Sequence, residues 1–214
     1  MTIVAPGERE VGLKRHYSIV IAMVLSLAAA SVNAQSRATA FGNVRFGETP
    51  AHVAEALAAL GMAPYTKIKP DERFPLDQTF HGTLLGEQAV VMTLFDGHGA
   101  FEKMIVSFLT EEQDCLEFYG QFKDELIEKY GTTTIDMQRY DYPYNDGDHV
   151  GHEQTAIRFG KAHLAATWKR EDAGDRTGGI ALSVEDNLTV RLTYESGKWS
   201  AESDRRRKLL NAAF

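Results

Sequence analysis

The chain has 214 residues, 43% of them hydrophobic, with 23 basic and 30 acidic residues, a net charge of −7 and one cysteine. A mildly acidic chain lacks the basic footprint that nucleic acid requires. One cysteine excludes an internal disulfide framework, so the fold must rest on a hydrophobic core, which a chain of this length can supply.

Residues 1–34 read as a targeting segment. Arg9, Lys14, Arg15 and His16 form a basic start, Tyr17 to Ala30 is apolar apart from two serines, and Val32-Asn33-Ala34 places small residues before a cut. This is a signal-peptide pattern, with the mature chain beginning at Gln35. The apolar run is short for a bilayer, which needs about 20 such residues, so no transmembrane anchor is expected after cleavage. No cysteine stands near the cut to carry a lipid. Loss of Arg9, Lys14 and Arg15 with Glu8 and Glu10 brings the net charge from −7 to −8. The expected destination is the periplasm or the medium, and residues 35–214 are expected to form one domain.

Gln35 to Ala40 is small and polar. In Phe41 to Leu60, Thr49 is placed as an N-cap and Pro50 at the first helical position, where its missing N–H costs nothing. Val53, Leu57 and Leu60 are spaced for one buried face, Gly61 closes the helix, and His52 in the first turn is expected to be exposed. The pattern Phe41, Val44, Gly47, Thr49, Val53 resembles the entry of small bacterial exported domains, of the β-lactamase-inhibitor-protein fold and the outer-membrane assembly lipoprotein fold similar to it. The resemblance implies export and a short helix leading into an antiparallel sheet. A second copy of the whole entry pattern, a disulfide pair and a lipobox cysteine are all missing. Neither inhibition nor assembly activity is carried over, and no functional residue with them.

Met62 to Gln78, with Pro64, Pro70 and Pro75, reads as a connector that fits no ladder. Thr79–Leu85, Gln88–Phe95 and Phe101–Leu109 then read as three strands. They are joined by tight turns at Gly86-Glu87 and at Asp96-Gly97-His98-Gly99, which makes an antiparallel meander. In the third, Phe101, Lys103, Ile105 and Ser107 alternate with Glu102, Met104, Val106 and Phe108.

The clearest helix is Thr110–Gly131. Thr110 and Gln113 fit a capping box, and Glu111, Glu112 and Asp114 suit the positive end of the helix dipole. Cys115, Tyr119, Phe122, Leu126 and Tyr130, widened by Phe118 and Ile127, form an apolar stripe that reads as core packing. Cys115 sits on that stripe among acidic neighbours, which favours a small buried residue over a reactive thiol. Gly120 is read as a place for close approach to a strand.

Beyond Gly131, Thr132–Tyr140 is a strand candidate and Asp141–Gly151 a turn-rich loop. Thr155–Phe159 and Ala162–Lys169 read as strands around Gly160-Lys161, and Ile180–Val184 and Leu188–Tyr194 as strands around Glu185-Asp186-Asn187. The tail from Trp199 forms a short helix or frays. The order helix, meander, helix, meander points to an α+β fold with an antiparallel sheet and helices packed on one face. A duplication over 41–109 and 110–195 is one reading of that order.

The other sheet face would carry His163, Thr167, Lys169, Ser183, Arg191 and Thr193. Such a face is either solvated or a binding surface; as a binding site its residues are His163, Thr167, Lys169 and Arg191. The loop offers the one chemical constellation, Asp146, Asp148, His149, His152 and Glu153. Zn²⁺ held by Asp148, His149 and His152 is the metal reading, and ordinary turn chemistry the other. No nucleophile elbow or phosphate cradle is present. Arg205 to Lys208 reads as a solvated run or a contact for anionic lipid. The expectation is a non-enzymatic exported domain binding a protein or cell-envelope component, with an enzyme or metal-dependent site on the 146–153 loop as the alternative.

Overall fold

The computed structural model describes residues 41–145, 147, 150–171 and 177–212. Four helices and eight strands follow in chain order: α1 (Pro50–Ala59), β1 (Ala63–Pro64), β2 (Gln78–Leu84), β3 (Glu87–Phe95), β4 (Phe101–Leu109), α2 (Cys115–Tyr130), β5 (Ile135–Tyr140), α3 (Glu153–Arg158), β6 (Ala162–Glu171), β7 (Thr177–Val184), β8 (Val190–Glu195) and α4 (Trp199–Asn211). The expected α+β class holds. The strands form one antiparallel sheet in the order β1-β2-β3-β4-β8-β7-β6-β5, so two four-strand meanders meet at the β4–β8 pair.

One face of the sheet is the core. Phe80, Val91, Met104, Val106, Phe108, Trp168, Ile180, Leu182, Leu192 and Tyr194 are all buried there. Helix α2 lays Cys115, Phe118, Tyr119, Phe122 and Leu126 on this face, each large side chain contributing about 1.5–3 kcal/mol of burial. Phe108 meets the rings of Phe118 and Phe122 at 5.2 and 5.4 Å. Trp168 Nε1 donates to the Gly131 carbonyl at 2.9 Å, tying β6 to the end of α2. Helix α1 buries Val53 and Leu57 and starts as expected: the Thr49 hydroxyl accepts from the His52 N–H, and His52 is exposed.

Several expectations are corrected. The capping box does not form: Thr110 donates to the Leu188 carbonyl at 3.5 Å, and a 3₁₀ turn over Glu112–Asp114 precedes α2. Gly120 has no neighbour close enough to explain it by close approach. That role falls to Gly82, where a Cβ would lie 2.9 Å from the Gly61 carbonyl oxygen. The connector does reach the ladder, since Ala63–Pro64 pairs with Phe80 and His81 as a two-residue edge strand, a position where proline is tolerated. Residues 155–159 are not a strand. They belong to α3 and its end, which buries the adjacent pair Ala156 and Ile157 and leaves Phe159 69% exposed. Gln154 and Arg158 hold α3 to the Glu112 carbonyl and carboxylate at 2.9 and 2.6 Å.

The alternation in β4 breaks at its first residue. Between Leu94 and Phe95 the register shifts, so Phe95 pairs with Phe101 and Glu102 is the extra residue of a bulge. Phe101 and Glu102 are therefore both buried. Just beyond, the Asp96 carboxylate accepts from the His98 and Ala100 N–H groups at 2.8 and 2.9 Å and shapes the hairpin turn. Partial burial would raise that carboxyl; the two N–H donors outweigh it and hold it below the usual range.

Helix α4, which the sequence left as a short helix or a frayed tail, lies at the end of the sheet: Arg206 reaches Asp77 ahead of β2 and the Phe95 carbonyl at the end of β3, and Trp199 meets Lys103 on the other sheet face. The basic run is not simply solvated, because Arg206 is 9% exposed.

Candidate functional site

Among the described residues no helix crosses the middle of the second sheet face, and its composition follows from strand alternation. Pairing register lines up Thr79, Met92, Ile105, Thr193, Ala181, Thr167 and Ile135 in one row from β2 to β5. No charge interrupts this row across seven strands. The next row holds His81, Val90, Ser107, Arg191, Ser183, Ala165 and Met137. On the other side lie Leu94, Lys103, Glu195, Gly179 and Lys169. Met92, Leu109, Ile135 and Met137 are among the exposed large hydrophobic residues of the chain, and all four stand on this face.

The charged groups of the face sit around the row and are mostly held by acids nearby. Asp141 lies 3.3 Å from His163 Nε2 and 3.2 Å from Arg139 Nε. Glu185 takes Arg191 Nη1 at 3.1 Å and the Ser183 hydroxyl at 2.9 Å. Glu195 takes Lys103 Nζ at 2.6 Å. Arg191 Nε is shielded and has no hydrogen-bond partner among the described residues.

His163, Thr167, Lys169 and Arg191 all project from this face, as do Ser183 and Thr193. They do not converge. His163 and Lys169 are six residues apart on β6, about 20 Å at strand rise, and Arg191 is two strands away on β8. Thr167 belongs to the uncharged row, while His163 and Arg191 face carboxylates. Alternation within each strand was readable in the sequence; Met92, Ile105, Ala181 and Ile135 were missed as members of one surface, because only the register between strands aligns them.

An open groove of about 590 Å³ closes one end of the face. Lys103, Lys169, Gly179 and Glu195 line it from the sheet, and Trp199 and Asp204 from α4. Lys103 Nζ lies 5.0 Å from the Trp199 ring centre and Arg206 Cζ lies 5.5 Å from it. The indole is thus committed to cations of the protein itself.

Of the metal reading, Asp146, Asp148 and His149 lie outside the described residues. His152 is exposed at the start of α3, and no three described His, Cys, Asp or Glu side chains gather to hold a metal. Cys115 is fully buried, and burial pushes its thiol up against the opposing hydrogen bond with Thr110, which is the reverse of an activated nucleophile. In the basic run, Arg205 and Arg206 both bind Glu202, and Arg207 binds Asp204. No described helix is long and apolar enough to cross a membrane. The chain matches no protein-family model, no curated protein and no solved structure.

Proposed function

We propose that this chain is an exported, non-enzymatic binding domain that docks a protein partner on the open face of its sheet. The observation that supports the reading is the uncharged row from Thr79 to Ile135, crossing seven strands of a chain whose net charge is −7. Interface centres are depleted in charge and ringed by polar groups, and here Lys103, Lys169, Arg139 and Arg191 stand around the row. Flat β-branched and small residues, Thr167, Ala181 and Thr193, would allow close approach, with Met92 and Met137 as adaptable contacts. The partner is a protein surface with an apolar centre and acidic groups at its margin to meet Lys169.

The test places a photo-crosslinking residue at Ala181 or Ile105, with a control at Glu125 on α2, which packs on the opposite face of the sheet, in cells that export the protein. A discrete protein adduct from positions 181 and 105, lost with Thr167→Glu and absent from position 125, is expected. Adducts with glycan or lipid alone, equal adducts from position 125, or none from the sheet face would overturn the reading.

A further inference from the structure

Helix α4 is attached in an unusual way. Its only buried residues are Glu202 and Arg206, both charged. Arg206 donates to both Asp77 oxygens at 2.6 and 2.8 Å, to Glu202 at 2.9 Å and to the Phe95 carbonyl. Its guanidinium lies 4.3 Å from the Phe74 ring centre. Arg205, paired to Glu202, packs 3.7 Å from where a Cβ would stand on Gly97 in the β3–β4 hairpin. At the N-terminal end, Ser196 binds the buried Glu102 carboxylate. The helix's leucines are not the anchor, since Leu209 and Leu210 are 40% and 37% exposed.

We propose that α4 is a displaceable wall of the open sheet face, which undocks and melts as a unit while the sheet stays folded. Burying a salt bridge costs nearly as much in lost hydration as the pairing returns. On undocking, Arg206, Asp77 and Glu202 regain water together, so little net free energy opposes the step. A free helix of 13 residues is marginal in water, so the released segment loses its hydrogen bonds. Opening removes Trp199 and Asp204 from the groove and exposes the ends of β3, β4 and β8 beside Lys103 and Glu195. The role as a wall of a binding surface rests on the docking proposal above; the opening itself does not.

The experiment is amide hydrogen exchange on the free protein, which needs no partner and so fails or succeeds apart from the docking proposal. Amides of residues 199–211 are expected to exchange at least about 100-fold faster than those of β4 and β8, through sub-global opening. In an Asp77→Leu/Glu202→Leu/Arg206→Met variant, apolar contact replaces the ionic node, and exchange in α4 is expected to slow about 10-fold. With Trp168→Phe, Trp199 is the only indole left of the two, and its emission should shift at urea concentrations where β-sheet ellipticity is unchanged. Exchange of α4 in step with β4 and β8, or unchanged or faster exchange in the apolar variant, would overturn the proposal.

Discussion

Helices α2 and α4 are of similar length, 16 and 13 residues, and both are docked on the same sheet. One buries Cys115, Phe118, Tyr119, Phe122 and Leu126; the other buries Glu202 and Arg206. The difference separates holding from positioning. Peeling α2 away would expose a set of aromatic and aliphatic side chains to water, a loss that grows with every contact broken. Peeling α4 away returns charges to the solvent they were taken from. The ionic node fixes where α4 sits, since Arg206 must meet Asp77, Glu202 and the Phe95 carbonyl at once. It contributes much less to keeping it there.

The largest expected effect tests the α2 side. Phe122→Ala removes a fully buried ring packed against Phe108 and Phe118 and should cost about 3–5 kcal/mol of global stability. In a Trp199→Phe background, urea unfolding followed by ellipticity and by Trp168 emission should shift together, because core and sheet are lost in one step. A variant in which only α2 frays would break the comparison.

Arg206→Ala comes next. In a rigid interface, removing one partner of a buried pair costs about 3–5 kcal/mol, because the abandoned charges stay buried. Here Asp77 and Glu202 can escape by letting α4 go, so the global loss should stop at about 1–2 kcal/mol, with helical ellipticity reduced by the contribution of residues 199–211. Unfolding midpoints and far-ultraviolet ellipticity measured on one sample decide the matter. A loss as large as that of Phe122→Ala, with α4 still helical, would show the two helices to be held alike.

The same contrast explains what could be read in advance. Helix α2 was legible because Phe118, Phe122 and Leu126 recur at helical spacing, the strands β2, β4 and β8 because apolar residues alternate, β3 because its apolar run is dense, and β6 from the turn residues Gly160-Lys161 before it. Helix α4 carries no apolar stripe, and its anchor pairs Arg206 with Asp77 across 129 positions of chain, which no local pattern reports. Short α3 was misread as a strand because Thr155, Ile157 and Phe159 alternate by chance, while its burial comes from Ala156 and Ile157. The candidate face was legible strand by strand in His163, Thr167, Lys169 and Arg191. Its uncharged row was not, because register is a property of pairs of strands. Nor could Asp141 and Glu185 be foreseen as the acids that hold His163 and Arg191, since both lie in turns.

The smallest effect concerns Glu102, the bulged residue beside the start of α4. Burial pushes its carboxyl above the ordinary range, Asp96 and Glu202 add to this, and the Ser196 hydrogen bond and Lys198 oppose it. An acid whose folded pKa exceeds its unfolded value takes up a proton on folding. The penalty for burying the carboxylate is therefore complete above the folded pKa, and it is relieved as pH falls through that value toward the unfolded one. Glu102→Gln keeps an oxygen for the Ser196 hydroxyl and removes the charge. At pH 7 it should raise Tm by about 1–2 °C, on the scale where 1 kcal/mol moves a domain of this size by about 2–4 °C. The gain should shrink as pH falls toward 4.5, where the native side chain becomes protonated. Exchange in α4 should slow in the same variant, because Ser196 is the hinge between β8 and the helix. A gain that persists unchanged at pH 4.5 would assign the effect to packing rather than charge. A loss of stability at pH 7 would mean that Lys198 and Ser196 already compensate the carboxylate, and that the start of α4 is held more firmly than its Arg206 end.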